Sequence, residues 1–204
     1  MTIAVTGPYA SGKSTFVQML GDLGAETVSA DEIVHHLLSE DEEAIQRVVE
    51  RFGVDVRGER GINRKALGRV VFGDPGTLRD LEEILHPLVR GETDRRLSAS
   101  EAGVFVAEIP LLFEGGRSGA FDCTVAVTVP DERRLAWAAE RGLDEEALRA
   151  IEARQLSGEE KARRADVVVE NGADLATLRR RAEELLERVS GGRWPGCGWR
   201  NQAG

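Results

Sequence analysis

The chain has little of what marks secreted, membrane or nucleic-acid-binding proteins. It holds two cysteines, Cys123 and Cys197. Neither has metal-ligand spacing to anything, and two do not make a disulfide framework. No apolar run approaches the roughly 18 residues that a bilayer-spanning helix needs. Positive charge is in deficit, with a net charge of −9. That excludes a duplex nucleic-acid binder working by broad phosphate neutralisation, though not a local basic pocket. Lysine is scarce: of 27 cationic side chains only Lys13, Lys65 and Lys161 are lysines. None stands in the Asn/Thr-Lys-x-Asp segment with which GTPase switches read guanine, so that class is excluded too. Internal repeats and low-complexity blocks are also missing.

What remains is a chain of 204 residues with 41% hydrophobic and 31% charged side chains. This fits one soluble globular domain with a core of its own, with or without insertions. Its most informative stretch is Gly7 to Thr15, Gly-Pro-Tyr-Ala-Ser-Gly-Lys-Ser-Thr. Gly7, Gly12, Lys13 and Ser14 satisfy the pattern G-x-x-x-x-G-K-[ST]. The apolar run Ile3-Ala4-Val5 precedes it, and a helical pattern follows. That strand–loop–helix context gives the pattern its meaning as a phosphate-binding loop. Glycines let the backbone turn successive N–H groups inward, and the helix adds free N–H groups and a positive dipole end. Lys13 supplies a point charge for the terminal phosphates, and the Ser14 hydroxyl can ligate Mg²⁺. Because the chain opens on a strand running into this loop, no signal peptide is expected, and cytoplasmic residence is.

Periodicity orders the rest. Strands are expected at 2–6, 27–29, 104–109, 122–129 and 167–169, and helices at 13–22, 31–38, 41–52, 64–71, 77–86, 131–141, 144–156, 158–164 and 175–189. The proline of His86-Pro87 is expected to start a further helix to about Ser98. Gly73 to Gly76 reads as a turn. Residues 31–100 hold helix after helix without a strand, which marks much of the stretch as an inserted substrate-binding region in an otherwise α/β chain. Residues 191–204 read as a disordered tail, and their two tryptophans are alternatively a docking segment.

Several residues stand where chemistry would need them. Asp31 sits at a strand-to-helix handover, either as a helix N-cap or at the sheet edge where open α/β sheets bind ligands. Glu108 ends a buried strand, where a carboxylate is either an ordinary strand-end acid or holds Mg²⁺ through water. Arg134, Arg141 and Arg154 fall where a small kinase carries a lid. Arginine's planar fork suits a transferring phosphoryl group, although a solvated helix face also carries such charges. His35 and His36 are adjacent and do not share a helix face, so they are poor metal ligands. His86 is either a ligand contact or a junction residue.

Together these pieces resemble the dephospho-coenzyme A kinase family. The likeness runs from residue 3 to 173. It rests on the phosphate loop, Ser29-Ala30-Asp31, Phe52-Gly53, Gly61 to Leu67, Val71-Phe72, Leu81-Glu82…His86-Pro87, Glu108-Ile109-Pro110-Leu111-Leu112-Phe113-Glu114, Arg141, Arg154-Gln155 and Lys161…Asp166…Asn171. The His-Pro and Pro-Leu-Leu-Phe-Glu elements, in this order, carry the specificity. The resemblance implies an α/β, three-layer P-loop kinase fold with a five-stranded parallel sheet. One domain over 1–190 is implied, with a core of 1–30, 103–140 and 165–190, a helical coenzyme-binding region of about 31–102 and a lid of about 141–164.

It also implies ATP-dependent phosphorylation of the ribose 3′-hydroxyl of dephospho-coenzyme A, with ATP and Mg²⁺ as cofactors. Asp31, Lys13 and Arg141 would be the catalytic residues. Gly7, Ala10, Ser11, Gly12, Lys13, Ser14, Thr15, Arg141 and Asn171 would hold the nucleotide, with Ser14 on the metal. Asp31, Arg64, His86, Glu108, Leu111 and Leu112 would line the acceptor side. The expected partners are small-molecule substrates, with neither nucleic acid nor membrane, and the expected state is a monomer or weak homo-oligomer. Two departures stand out: Ser29 where the family usually has Asp, and Pro8, Tyr9 and Ala10 in place of more flexible loop residues. They keep open a catalytically weak regulatory relative, beside another small-molecule P-loop kinase acting on a nucleoside, nucleotide or sugar.

Overall fold

The computed structural model describes residues 1–71, 74–191 and 199–200. The turn expected at 73–76 and most of the tail expected from 191 lie partly outside them. The chain divides into two compact units, Met1–Ser29 with Ser100–Gly204, and Ala30–Ala99.

The first unit is built on a parallel sheet. Its strands are β1 (Thr2–Thr6), β2 (Glu26–Ser29), β3 (Phe105–Glu108), β4 (Cys123–Thr128) and β5 (Val167–Glu170), with a two-residue β6 (Trp199–Arg200). Their order is β2-β3-β1-β4-β5-β6. The five expected strands are present, and β6 departs from the expected disordered tail. Its backbone pairs with β5, Val167 opposite Trp199 and Val168 opposite Arg200, which occupies N–H and C=O groups that an edge strand otherwise leaves open.

Alternation along the strands decides the packing. Ile3, Val5, Val106, Val125, Val127, Val167 and Val169 form one core with Phe16, Val17 and Leu20 of α1 (Lys13–Asp22). Leu178, Ala182, Leu185, Leu186 and Val189 of α9 (Leu175–Ser190) complete it. The intervening positions carry the small or polar side chains of Ala4, Thr6, Ala107, Thr124 and Ala126, all buried. The unit also holds α6 (Asp131–Glu140), α7 (Glu145–Glu152) and α8 (Gly158–Arg164). The order in which strands are added reverses about β1, whose neighbours are β3 and β4. In open α/β sheets the crevice at such a switch point, beyond the strands' carboxyl ends, is where ligands bind.

The second unit is helical: α2 (Ala30–Ser39), α3 (Glu42–Phe52), α4 (Arg64–Val71) and α5 (Pro75–Ala99). Its core joins Leu38, Ile45, Val48, Val56, Ile62, Leu67, Val71 and Leu85. Gly61 is needed where it stands: its φ is +69°, and a Cβ there would meet the Leu38 carbonyl oxygen at 2.4 Å. The break expected at His86-Pro87 does not occur, and α5 runs through Pro87 as one helix of 25 residues. An interior proline costs about 3 kcal/mol or more. Leu78, Leu81, Ile84 and Leu85, ahead of the proline, pack into the unit's core, while Thr93 beyond it is buried and donates to the Val89 carbonyl at 2.7 Å. Packing on both sides of Pro87 holds the helix through the defect. Among the described residues no helix is long and apolar enough to cross a membrane.

On α5, Glu92 accepts bonds from Arg95 and Arg96 at 2.7–2.8 Å. These bonds hold its carboxyl down to about 2, from the ordinary 4.5. A depressed folded-state value means the contribution is whole above pH 4.5 and is lost as pH falls toward 2. Glu92→Gln is expected to lower stability by about 1 kcal/mol at pH 7, as a partly exposed i,i+3/i,i+4 network. In denaturant titrations the gap between variant and parent closes on acidification; a gap constant down to pH 3 would sink the assignment.

Candidate active site

The loop from Gly7 to Gly12 follows β1 and leads into α1. Two of its glycines are fixed by close approach as well as by backbone freedom. A Cβ on Gly7 would lie 2.3 Å from the Val127 carbonyl oxygen, and one on Gly12 would lie 2.2 Å from Asn171 Nδ2. Gly12 has φ +84° and Ala10 has φ +58°. A left-handed alanine costs roughly 1–2 kcal/mol. Ala10 is nevertheless buried, in a cluster with Ala138 of α6 and Leu148 of α7, against which Tyr9 and Trp137 pack. Burial of one methyl returns about 0.8 kcal/mol, so the strain is offset in part. Lys13 is buried, and its Nζ donates to the Pro8 carbonyl at 2.9 Å. Ser11 is also buried, and its hydroxyl oxygen has no hydrogen-bond partner.

Asn171 directly follows β5, and its role was not legible from its neighbours in sequence. Its backbone N–H donates to the Thr128 carbonyl at 2.6 Å. Its side-chain Nδ2 donates to the Ser11 carbonyl at 3.0 Å, a bond between residues 160 positions apart. It thereby clamps the loop from the β5 side. Gly12, Thr15, Arg141 and Asn171, all expected on the nucleotide, line one cavity of about 390 Å³ with Trp137, Glu140, Ala173, Asp174 and Leu175. Arg141 follows α6 directly, is exposed, and has its guanidinium carbon 6.0 Å from the centroid of the Tyr9 ring. The three lid arginines part company here. Arg134 is buried and ion-paired with Asp131 and Glu152, which ties α6 to α7. Arg154 is exposed.

Beyond β3 lies a second constellation. Glu108 is buried and stands opposite Val5 of β1 and Ser29 of β2 in register. Its Oε1 accepts from the Ser14 hydroxyl at 2.9 Å. The following Pro110–Glu114 segment is held from two directions. The Pro110 carbonyl accepts from Thr6 Oγ1 at 3.1 Å and from Lys161 Nζ at 2.6 Å. Lys161, on α8, is fully buried and lies 3.1 Å from Glu114 Oε1. The same carboxylate accepts from the Leu156 N–H at 2.7 Å. Burial pushes the Lys161 ammonium below its usual value, and Glu114 opposes that shift. Leu112 is buried and Leu111 half-buried on this braced segment. The sequence motifs include both Lys161 and the Pro110–Glu114 segment, but nothing in them links one to the other.

Asp31, Arg64 and His86 belong to the helical unit. Asp31 is the second residue of α2, exposed, with Glu32 beside it in the first turn. The helix starts at Ala30, straight after β2, so Asp31 is inside it and is not its N-cap. Arg64 opens α4 and is exposed, and its Nη1 is 3.5 Å from His35 Nδ1 of α2. His86 is exposed in mid-helix on α5 and not at a junction. Among the described residues no group of three or more His, Cys, Asp or Glu side chains could hold a metal ion.

Comparison with known proteins agrees with this geometry. A family described as dephospho-CoA kinase matches residues 1–177. The dephospho-CoA kinase of Symbiobacterium thermophilum is 40% identical over 195 residues, which cover 93% of this chain and 82% of that one. Among solved structures, TT1252 of Thermus thermophilus superposes with a TM-score of 0.76 at 36% identity, over 92% of this chain and 97% of that one. The dephospho-CoA kinase of Campylobacter jejuni gives 0.69 at 31% identity, over 94% and 98%.

Proposed function

The chain belongs to the dephospho-CoA kinase family, and from that premise we propose how its residues divide the work. The reaction is phosphoryl transfer from ATP to the ribose 3′-hydroxyl of dephospho-coenzyme A, giving ADP and coenzyme A. The observation that carries the residue assignment is the phosphate loop at the end of the central strand, with Lys13 folded onto it and the cavity opening at Gly12. The loop N–H groups and Lys13 hold the β- and γ-phosphates. The unpartnered Ser11 hydroxyl supports this reading, since a buried polar group without a bond costs about 1–3 kcal/mol and a phosphate oxygen would supply one. Arg141, Thr15 and Asn171 line the nucleotide's side.

Ser14 Oγ and Glu108 Oε1, 2.9 Å apart, are hard oxygen donors of the kind Mg²⁺ takes, so the residues present fit that ion. Ser14 and Glu108 would hold the ion, which would supply positive charge against the negative charge that develops during transfer. Asp31 orients the acceptor hydroxyl and takes its proton. Arg64, His86, Leu111 and Leu112 bind the acceptor, with the last two braced through Pro110 and Glu114. Cytoplasmic residence belongs to the same proposal, as does a monomer or weak homo-oligomer, the latter supported by a net charge of −9 that keeps copies apart.

Purified protein with Mg-ATP is expected to convert dephospho-coenzyme A to coenzyme A, with one ADP formed per product. The acceptor panel also includes nucleosides, nucleoside monophosphates and sugars. Phosphorylation of a nucleoside monophosphate, with dephospho-coenzyme A left unreacted, would overturn the reading.

A further inference from the structure

We propose that Tyr9 is a positioning residue: the face of its ring holds the Arg141 guanidinium and fixes that arginine before nucleotide arrives. This rests on the assignment of Arg141 to the nucleotide. Two observations carry it. The Arg141 guanidinium carbon lies 6.0 Å from the Tyr9 ring centroid, within the distance at which a ring face attracts a cation. Independently, Tyr9 packs with Trp137 against the buried cluster of Ala10, Ala138 and Leu148. The ring is therefore seated between the phosphate loop and the helices that lead to and from Arg141.

The physical need is plain. Arg141 is exposed and stands between the end of α6 and Gly142, whose φ is +77°. A long side chain at such a corner samples many rotamers, and ordering it at the moment of binding costs entropy. A ring fixed to the loop that carries the phosphates removes part of that cost in advance. Tyr9 stands in the phosphate loop directly before the left-handed Ala10. Phenylalanine presents the same ring face. Leucine retains apolar packing and loses the π system.

The test is a double-mutant cycle on kcat/KM for ATP with Tyr9→Leu, Arg141→Met and both together, accompanied by melting temperatures and by Tyr9→Phe. Tyr9→Leu is expected to lower kcat/KM about 2- to 30-fold, the range of an exposed to a desolvated cation–π contact. Tyr9→Phe restores it, and Tyr9→Leu costs nothing further once Arg141 is methionine. A Tyr9→Leu loss that persists undiminished in the Arg141→Met background overturns the proposal alone, because the ring then acts on substrate or on folding. So does a silent Tyr9→Leu, or a Tyr9→Phe as impaired as the leucine variant. An Arg141→Met variant with parental kinetics overturns the assignment of Arg141, and the proposal falls with it.

Discussion

Lys13→Ala is expected to lower kcat by about a thousandfold or more, with the fold intact. The magnitude follows from the chemistry. Removing one neutral donor from a preorganised site that stabilises developing charge costs roughly 10²–10³ in rate. Lys13 would contribute a full positive charge on a largely buried stem, so the upper end of that range is the floor here. The structural cost is small by comparison. Lys13 is the first residue of α1, where alanine is a good helix former. The Pro8 carbonyl would lose the ammonium, at 2.9 Å, and keep the Ser11 N–H, at 3.3 Å. A melting temperature within a few degrees of the parent, with turnover near zero, is the expected pair of results. Turnover within tenfold of the parent would show that the loop holds phosphate through its N–H groups alone.

That the loop could be found without coordinates has a physical reason. Its meaning depends on local order: an apolar strand, glycines at fixed places, a lysine and a hydroxyl at the start of a helix. The same holds for α9, whose apolar stripe from Leu178 to Val189 repeats with helical period and lands in the core. Other features depend on contacts between distant residues. The Asn171 amide on the Ser11 carbonyl spans 160 positions, and the Lys161 bond to Pro110 spans 51. Nothing beside Asn171 or Lys161 announces either bond. Arg134 shows the converse. Its place after β4 suited a lid arginine, yet Asp131 and Glu152 occupy it. Pro87 marked a helix boundary by local rule, and tertiary packing on both sides of it overrode that rule. Ala10 has a backbone geometry that favours glycine, in keeping with its place among the loop positions where more flexible residues were expected.

With Asp31 proposed as the general base, Asp31→Asn is expected to lower kcat about 10²- to 10⁴-fold, the usual worth of such a group. Asparagine is nearly isosteric and still accepts a hydrogen bond from a hydroxyl. It cannot take the proton, and it carries no charge to favour that transfer. The KM for dephospho-coenzyme A should therefore move little while kcat collapses, and ATP binding should persist. Folding is not the explanation to expect. Asp31 is exposed in the first turn of α2, where a carboxylate's interaction with the helix dipole is worth about 0.3–1 kcal/mol. For a chain of this size that is no more than a few degrees of melting temperature. Ser29, two residues before Asp31, is paired in register with Glu108. Asp31 is the acid of the Ser29-Ala30-Asp31 segment, and Glu32 is the other carboxylate of that first turn. Near-parental kcat in Asp31→Asn would remove it as the base. A raised KM with unchanged kcat would make it a binding residue instead.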